Sequence, residues 1–200
     1  MLYQLLLILI AAALLLGSTA VPPVDLSADQ RQRLAAGEIV VLDALPPGAG
    51  KDARGATGVA IVRAPPAQVW GVLTDYPGHV RYYPRVVAVE VLQADERHAL
   101  VRYVIAVGPT TVGFHMDKYP DPVHRRIEWR LAEGRSNSMF RENTGYWQVA
   151  EASGNTLVTY AIAVRTIFPG FFTAGSERQS IVDTITALRK LVENPTASPR

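Results

Sequence analysis

The chain contains no cysteine. That absence excludes disulfides, thiolate nucleophiles and cysteine-ligated metals. Charge is also sparse: acidic and basic residues make up 19% of the 200 positions, and the formal net charge is only +2. Nucleic-acid binding normally needs a dense basic stripe, and none is present. No G-x-S-x-G elbow occurs. The glycine-bearing segment PPGAGKDARG lacks P-loop spacing, because Lys51 is not followed by Ser or Thr. Internal repeats are missing too, and nothing implies a cofactor.

What is present is 48% hydrophobic content, enough for one principal domain with a substantial core. The first twenty residues read MLYQLLLILIAAALLLGSTA, with an unbroken apolar run from Leu5 to Leu16 and small residues at Ser18, Thr19 and Ala20. This is the pattern of a secretory signal peptide, with an uncleaved membrane anchor as the alternative. No cysteine stands near Ala20 to carry a lipid. The expectation is a folded part outside the cytoplasm, periplasmic or secreted.

Beyond this segment, Ser27 and Gln30 have the spacing of a capping box and predict a short helix to about Ala36, stopped by Gly37. Glu38 to Leu45 reads as a strand, and residues 46–57 as a flexible surface connection. From Gly58 the chain becomes a dense series of strands. Gly58 to Arg63 leads, through Pro65 and Pro66, into a helix from Ala67 to about Thr74. Strands follow at Arg85–Ala94, His98–Val107, Thr111–Tyr119, His124–Ala132, Phe140–Ala150 and Thr156–Thr166, with a hairpin turn at Ser153-Gly154-Asn155. Ile181, Ile185, Leu188 and Val192 then recur at helical spacing. Residues 194–200 are expected to be a disordered tail. A meander followed by one long amphipathic helix implies an α+β domain, a curved antiparallel sheet and a helix hiding each other's apolar faces.

The succession APPAQVWGVLTDYPGHVRYYPRV, a meander, GYWQV, LVTYAIAV and a terminal helix resembles the START-like superfamily. That group includes polyketide cyclases, lipid-transfer START domains and ubiquinone-binding START-like proteins. The resemblance covers about Gly58 to Glu193, leaving residues 21–57 as an extension without a family role. It implies a helix-grip fold, with two short helices after the first strand and a deep apolar cavity between sheet and helix. The implied function is non-catalytic binding or transport of a lipid or isoprenoid quinone; the alternative is a cyclase or dehydratase acting on a polyketide-like substrate.

Strand alternation can be read beside that resemblance. With Arg102, Glu128, Gln148 and Thr159 turned to solvent, Tyr103, Trp129, Trp147 and Tyr160 face inward among aliphatics. Aromatics with polar tips suit a ligand pocket, although buried tyrosines also fill ordinary cores. The expected pocket wall is Tyr103, Trp129, Trp147 and Tyr160, closed by Phe114 and Ile185. The connection DYPGHVRYYP places Tyr76, Tyr82 and Tyr83 at the cavity rim, or in a packed hinge beneath it. His115, Asp117 and His124 match no zinc spacing, so no metal is expected; His115 is the candidate acid or base for the enzymatic alternative. The arginines between His124 and Glu142 could touch an anionic membrane surface, or simply line the solvated side of two strands.

Overall fold

The computed structural model describes residues 24–137, 139–167 and 176–194. The expected signal segment, the tail from residue 195, and Pro169-Gly170, a pair whose proline and glycine predict a break after the last strand, lie outside these. An eight-stranded antiparallel sheet packs against one long helix, the α+β arrangement that the sequence predicts and the helix-grip fold that the resemblance implies. In chain order the elements are α1 (Ala28–Ala35), β1 (Val40–Leu42), β2 (Arg54–Val62), α2 (Pro66–Thr74), a 3-10 turn (Tyr76–Arg81), β3 (Val86–Ala94), β4 (Ala99–Val107), β5 (Thr110–Asp121), β6 (Arg126–Leu131), β7 (Phe140–Ala152), β8 (Asn155–Thr166) and α3 (Ser176–Glu193). Spatially the strands run β1-β2-β8-β7-β6-β5-β4-β3.

Local signals account for most of these boundaries. The Ser27 hydroxyl accepts the Gln30 N–H, and the Gln30 side chain accepts the Ser27 N–H, completing the capping box of α1. Ser153 and Gly154 both have positive φ and form the two-residue turn that joins β7 to β8. Pro66 stands in the first turn of α2, where a missing N–H is harmless.

One expectation needs correction. Residues 54–57 are not part of a loose connection; they extend β2 and pair with Val164 to Ala161 of β8. Gly55 permits this, because a Cβ there would lie 1.8 Å from the Ile162 carbonyl oxygen. The extension also has a structural role. Leu34 of α1, Val40 of β1 and Val59 of β2 form a second small core, joined by Leu157, on the outer face of β2 and β8. That cover buries Thr159, which simple alternation assigns to solvent.

The main core lies between the sheet and α3, where Ile181, Ile185, Leu188 and Val192 are fully buried. Gly58 sets the closeness of this packing. A Cβ there would meet Ile181 Cγ2 at 2.4 Å and Ile185 Cδ1 at 2.7 Å. Among the described residues, no helix is long and apolar enough to cross a membrane.

Candidate functional site

A cavity of about 370 Å3 lies between the inner face of the sheet and the first half of α3. Period-2 alternation delivers its wall: β4 contributes Tyr103 and Ile105, β5 Phe114, Met116 and Lys118, β6 Trp129, and β8 Tyr160. Tyr103 stacks on Phe114 at 5.6 Å, and Trp129 lies 5.8 Å from Tyr160, so two pairs of aromatic rings line the cavity. Gly145 of β7 makes room for Trp129. A Cβ at that position would lie 2.5 Å from the indole ring and 2.2 Å from the Ala161 carbonyl oxygen.

Four of the six expected wall residues therefore border the cavity: Tyr103, Phe114, Trp129 and Tyr160. Trp147 and Ile185 do not. Trp147 is sealed behind Tyr160, stacked on it at 4.2 Å, with its Nε1–H donating to the Tyr83 hydroxyl at 2.7 Å. Ile185 is pressed onto Gly58 and spends its surface on the core. The α3 residues facing the cavity are instead polar, among them Ser180, Asp183 and Thr184. Of the three rim tyrosines only Tyr83 lines the cavity. Tyr76 and Tyr82 are buried in a hinge of aromatic rings around His79, at 5.4 and 5.2 Å from its imidazole.

His79 is the centre of that hinge, and alternation rules do not reach it because it sits in a 3-10 turn. Its Nε2 lies 2.9 Å from the Leu73 carbonyl oxygen, an acceptor, so Nε2 carries the proton. Its Nδ1, 2.8 Å from the Tyr103 hydroxyl, therefore accepts the phenolic O–H. Burial, reinforced by the nearby Lys118 charge, pushes the imidazole down to about 3 and keeps it neutral. Tyr103, with its proton committed to His79, presents oxygen lone pairs to the cavity side.

Lys118 was legible in the pattern, since the register that turns Phe114 and Met116 inward turns Lys118 inward as well. It is only 4% exposed. Its Nζ lies 4.5 Å from the centroid of the Trp129 ring and 5.3 Å from that of Tyr103. Burial lowers its proton affinity to about 7. The indole Nε1–H of Trp129 donates to Asn143 Oδ1 at 3.1 Å, which turns the Asn143 amide nitrogen away from that contact.

His115, Asp117 and His124 lie away from the cavity. His115 is half-buried on the other face of β5, beside the Ser136 carbonyl oxygen at 3.1 Å. Asp117 pairs with His98 at 2.8 Å, and His124 with Asp121 at 2.6 Å. Of the arginines between His124 and Glu142, Arg126 pairs with Glu128 at 2.7 Å and lies over Tyr146, while Arg130 lies over Tyr119.

The family model for polyketide cyclase/dehydrase and lipid transport matches residues 55–193. No curated protein sequence matches the chain. Among solved structures, the Zhui aromatase/cyclase from Streptomyces sp. R1128 superposes with a TM-score of 0.58 at 19% identity, covering 73% of this chain and 97% of that one. A START superfamily protein from Mycobacterium smegmatis gives 0.58 at 14% identity, covering 70% and 97%. A STAR-related lipid transfer protein from Xanthomonas axonopodis gives 0.55 at 16% identity, covering 78% and 98%. At these identities the likeness is one of fold.

Proposed function

The chain belongs to the polyketide cyclase/dehydrase and lipid transport family, and from that premise we propose that it is a non-catalytic carrier of an apolar small molecule such as a lipid or isoprenoid quinone. The observation that carries this reading is the cavity of about 370 Å3 with its wall of Tyr103, Ile105, Phe114, Trp129 and Tyr160. Its size lies within the usual range of small-molecule sites, about 300–1,000 Å3. Transfer of apolar ligand surface from water, at roughly 25 cal/mol per Å2, supplies the driving force without covalent chemistry. The proposal includes action outside the cytoplasm, supported by the apolar run from Leu5 to Leu16 and the small residues after it.

Organic extraction of the purified protein followed by mass spectrometry tests the carrier reading, together with binding of the apolar fluorophore N-phenyl-1-naphthylamine. A co-purifying lipid or quinone and saturable fluorophore binding are expected. Absence of both overturns the reading. Cell fractionation of the full chain tests the location.

A second reading, cyclisation or dehydration of a polyketide-like substrate, is favoured by one observation. Lys118 and the His79–Tyr103 pair put titratable groups at the cavity wall, whereas His115 is not among the lining residues. Turnover of a poly-β-ketone mimic that is lost in Lys118→Met and Tyr103→Phe would favour it over the carrier.

A further inference from the structure

Lys118 is the unexplained feature of the cavity. Placing an ammonium group on the inner face of a sheet is costly unless something compensates its charge. Among the described residues Lys118 has no hydrogen-bond acceptor and no carboxylate within ion-pair distance. The acidic groups that border the cavity, Glu177 and Asp183, belong to α3 and have other company: Glu177 lies 4.0 Å from Arg54, and Asp183 accepts from Gln179 at 2.8 Å. Among the described residues, the π faces of Trp129 and Tyr103 alone attend the charge.

A second donor adjoins the same indole. Asn143 borders the cavity, its Oδ1 is held by the Trp129 Nε1–H, and its amide nitrogen has no acceptor among the described residues. The ring of Trp129 thus carries an ammonium over its face and an amide donor at its nitrogen edge. Both are cavity-lining groups without acceptors among the described residues. Two such donors beside the aromatic rings of the sheet face call for an acceptor that their neighbours do not supply.

We propose that the ligand is an amphipathic carboxylic acid, bound head-first, with its carboxylate on Lys118 and the Asn143 amide and its hydrocarbon body along Phe114, Met116 and Tyr160. This rests on the reading of the cavity as a ligand site. The Tyr103 hydroxyl, whose proton is held by His79, can only accept, so it is not a donor to the head group. Pairing with a carboxylate restores the proton affinity that burial removes from Lys118. Binding of the anion above pH 7 is therefore accompanied by proton uptake. Other ionisable groups face the site: Arg54 and Arg85 near its β2 and β3 sides, Glu177 and Asp183 from α3. Burial holds the Tyr83, Tyr103 and Tyr160 phenols protonated and His79 neutral through this range.

The test compares dodecanoic acid with dodecan-1-ol as competitors of N-phenyl-1-naphthylamine, on the full chain and on Lys118→Met, which removes the charge and keeps an unbranched side chain one atom shorter. The acid should bind about ten- to a hundredfold more tightly than the alcohol, and Lys118→Met should abolish that preference, bringing the two affinities together. Calorimetry at pH 8 in buffers of different ionisation enthalpy should show close to one proton taken up per acid bound and none for the alcohol. Equal affinity for the two competitors, or an acid preference that survives Lys118→Met, overturns the carboxylate assignment and leaves the carrier reading standing. Failure of the fluorophore and of both competitors overturns the carrier reading, and the assignment with it. A borohydride-trapped adduct with dodecanal, without an acid preference, would assign Lys118 to carbonyl chemistry and overturn the ion pair.

Discussion

The Tyr103 hydroxyl donates a hydrogen bond to Nδ1 of His79 at 2.8 Å, joining β4 to the 3-10 turn that precedes β3. The bond ties a cavity-wall residue to the hinge and requires a neutral imidazole.

Acid should break it. In the unfolded chain His79 takes up a proton near pH 6.5, whereas burial in the fold holds it down to about 3. Between those values the unfolded state binds more protons, so stability is intact above 6.5 and is lost as pH falls toward 3. At pH 4.5 the loss attributable to His79 is about 2–3 kcal/mol. Urea midpoints at pH 7 and 4.5 should show it, and His79→Gln should lack that portion of the slope. An unchanged slope in the variant would refute the assignment.

Lys118 should weigh on stability in the same direction, but in a more alkaline window. Its proton affinity is about 7 in the fold and 10.5 when exposed, so the unfolded state again binds more protons between those values, and the native state gains stability as pH rises from 7 to 10.5. Lys118→Met is expected to exceed the parent by several kcal/mol at pH 7. The gap should close near pH 10.5. A gap independent of pH would mean that packing, not charge, is responsible.

Two tyrosines only seven residues apart should respond differently to loss of the hydroxyl. Tyr83→Phe leaves the buried Trp147 Nε1–H without its acceptor and should cost about 1–3 kcal/mol. The Tyr76 hydroxyl is buried without a partner among the described residues, so Tyr76→Phe should be neutral or slightly stabilising. Thermal denaturation of both variants decides this.

Gly145→Ala should damage the site and the fold together. The added methyl meets a carbonyl oxygen of β8, which cannot swing aside, and the ring of Trp129. Overpacking of this kind costs about 1–3 kcal/mol. Fluorophore binding should weaken in the fraction that remains folded, because the indole that shapes the wall has moved. Full binding with a native melting curve would contradict this.

Local patterns carried much of this fold. The capping box at Ser27 and Gln30, the Ser153-Gly154 turn, the alternation of β4 to β8 and the helical spacing of Ile181, Ile185, Leu188 and Val192 each depend on residues a few positions apart. Alternation also turned Lys118 inward. Its meaning was hidden because one strand cannot reveal whether a counter-charge waits on another.

The limits of such reading appear where two residues obey the same pattern and meet different surroundings. Trp129 and Trp147 both point inward; one borders open space and the other is sealed between Tyr160 and Tyr83. Ile185 sits on the apolar stripe of α3, yet Gly58, 127 positions earlier, lets the helix come close enough to bury it completely. Period and capping are properties of a few neighbouring dihedral angles, so the sequence by itself determined which faces turn inward. Whether an inward face meets protein or a cavity depends on volumes brought together from distant parts of the chain, and only the tertiary structure decided that.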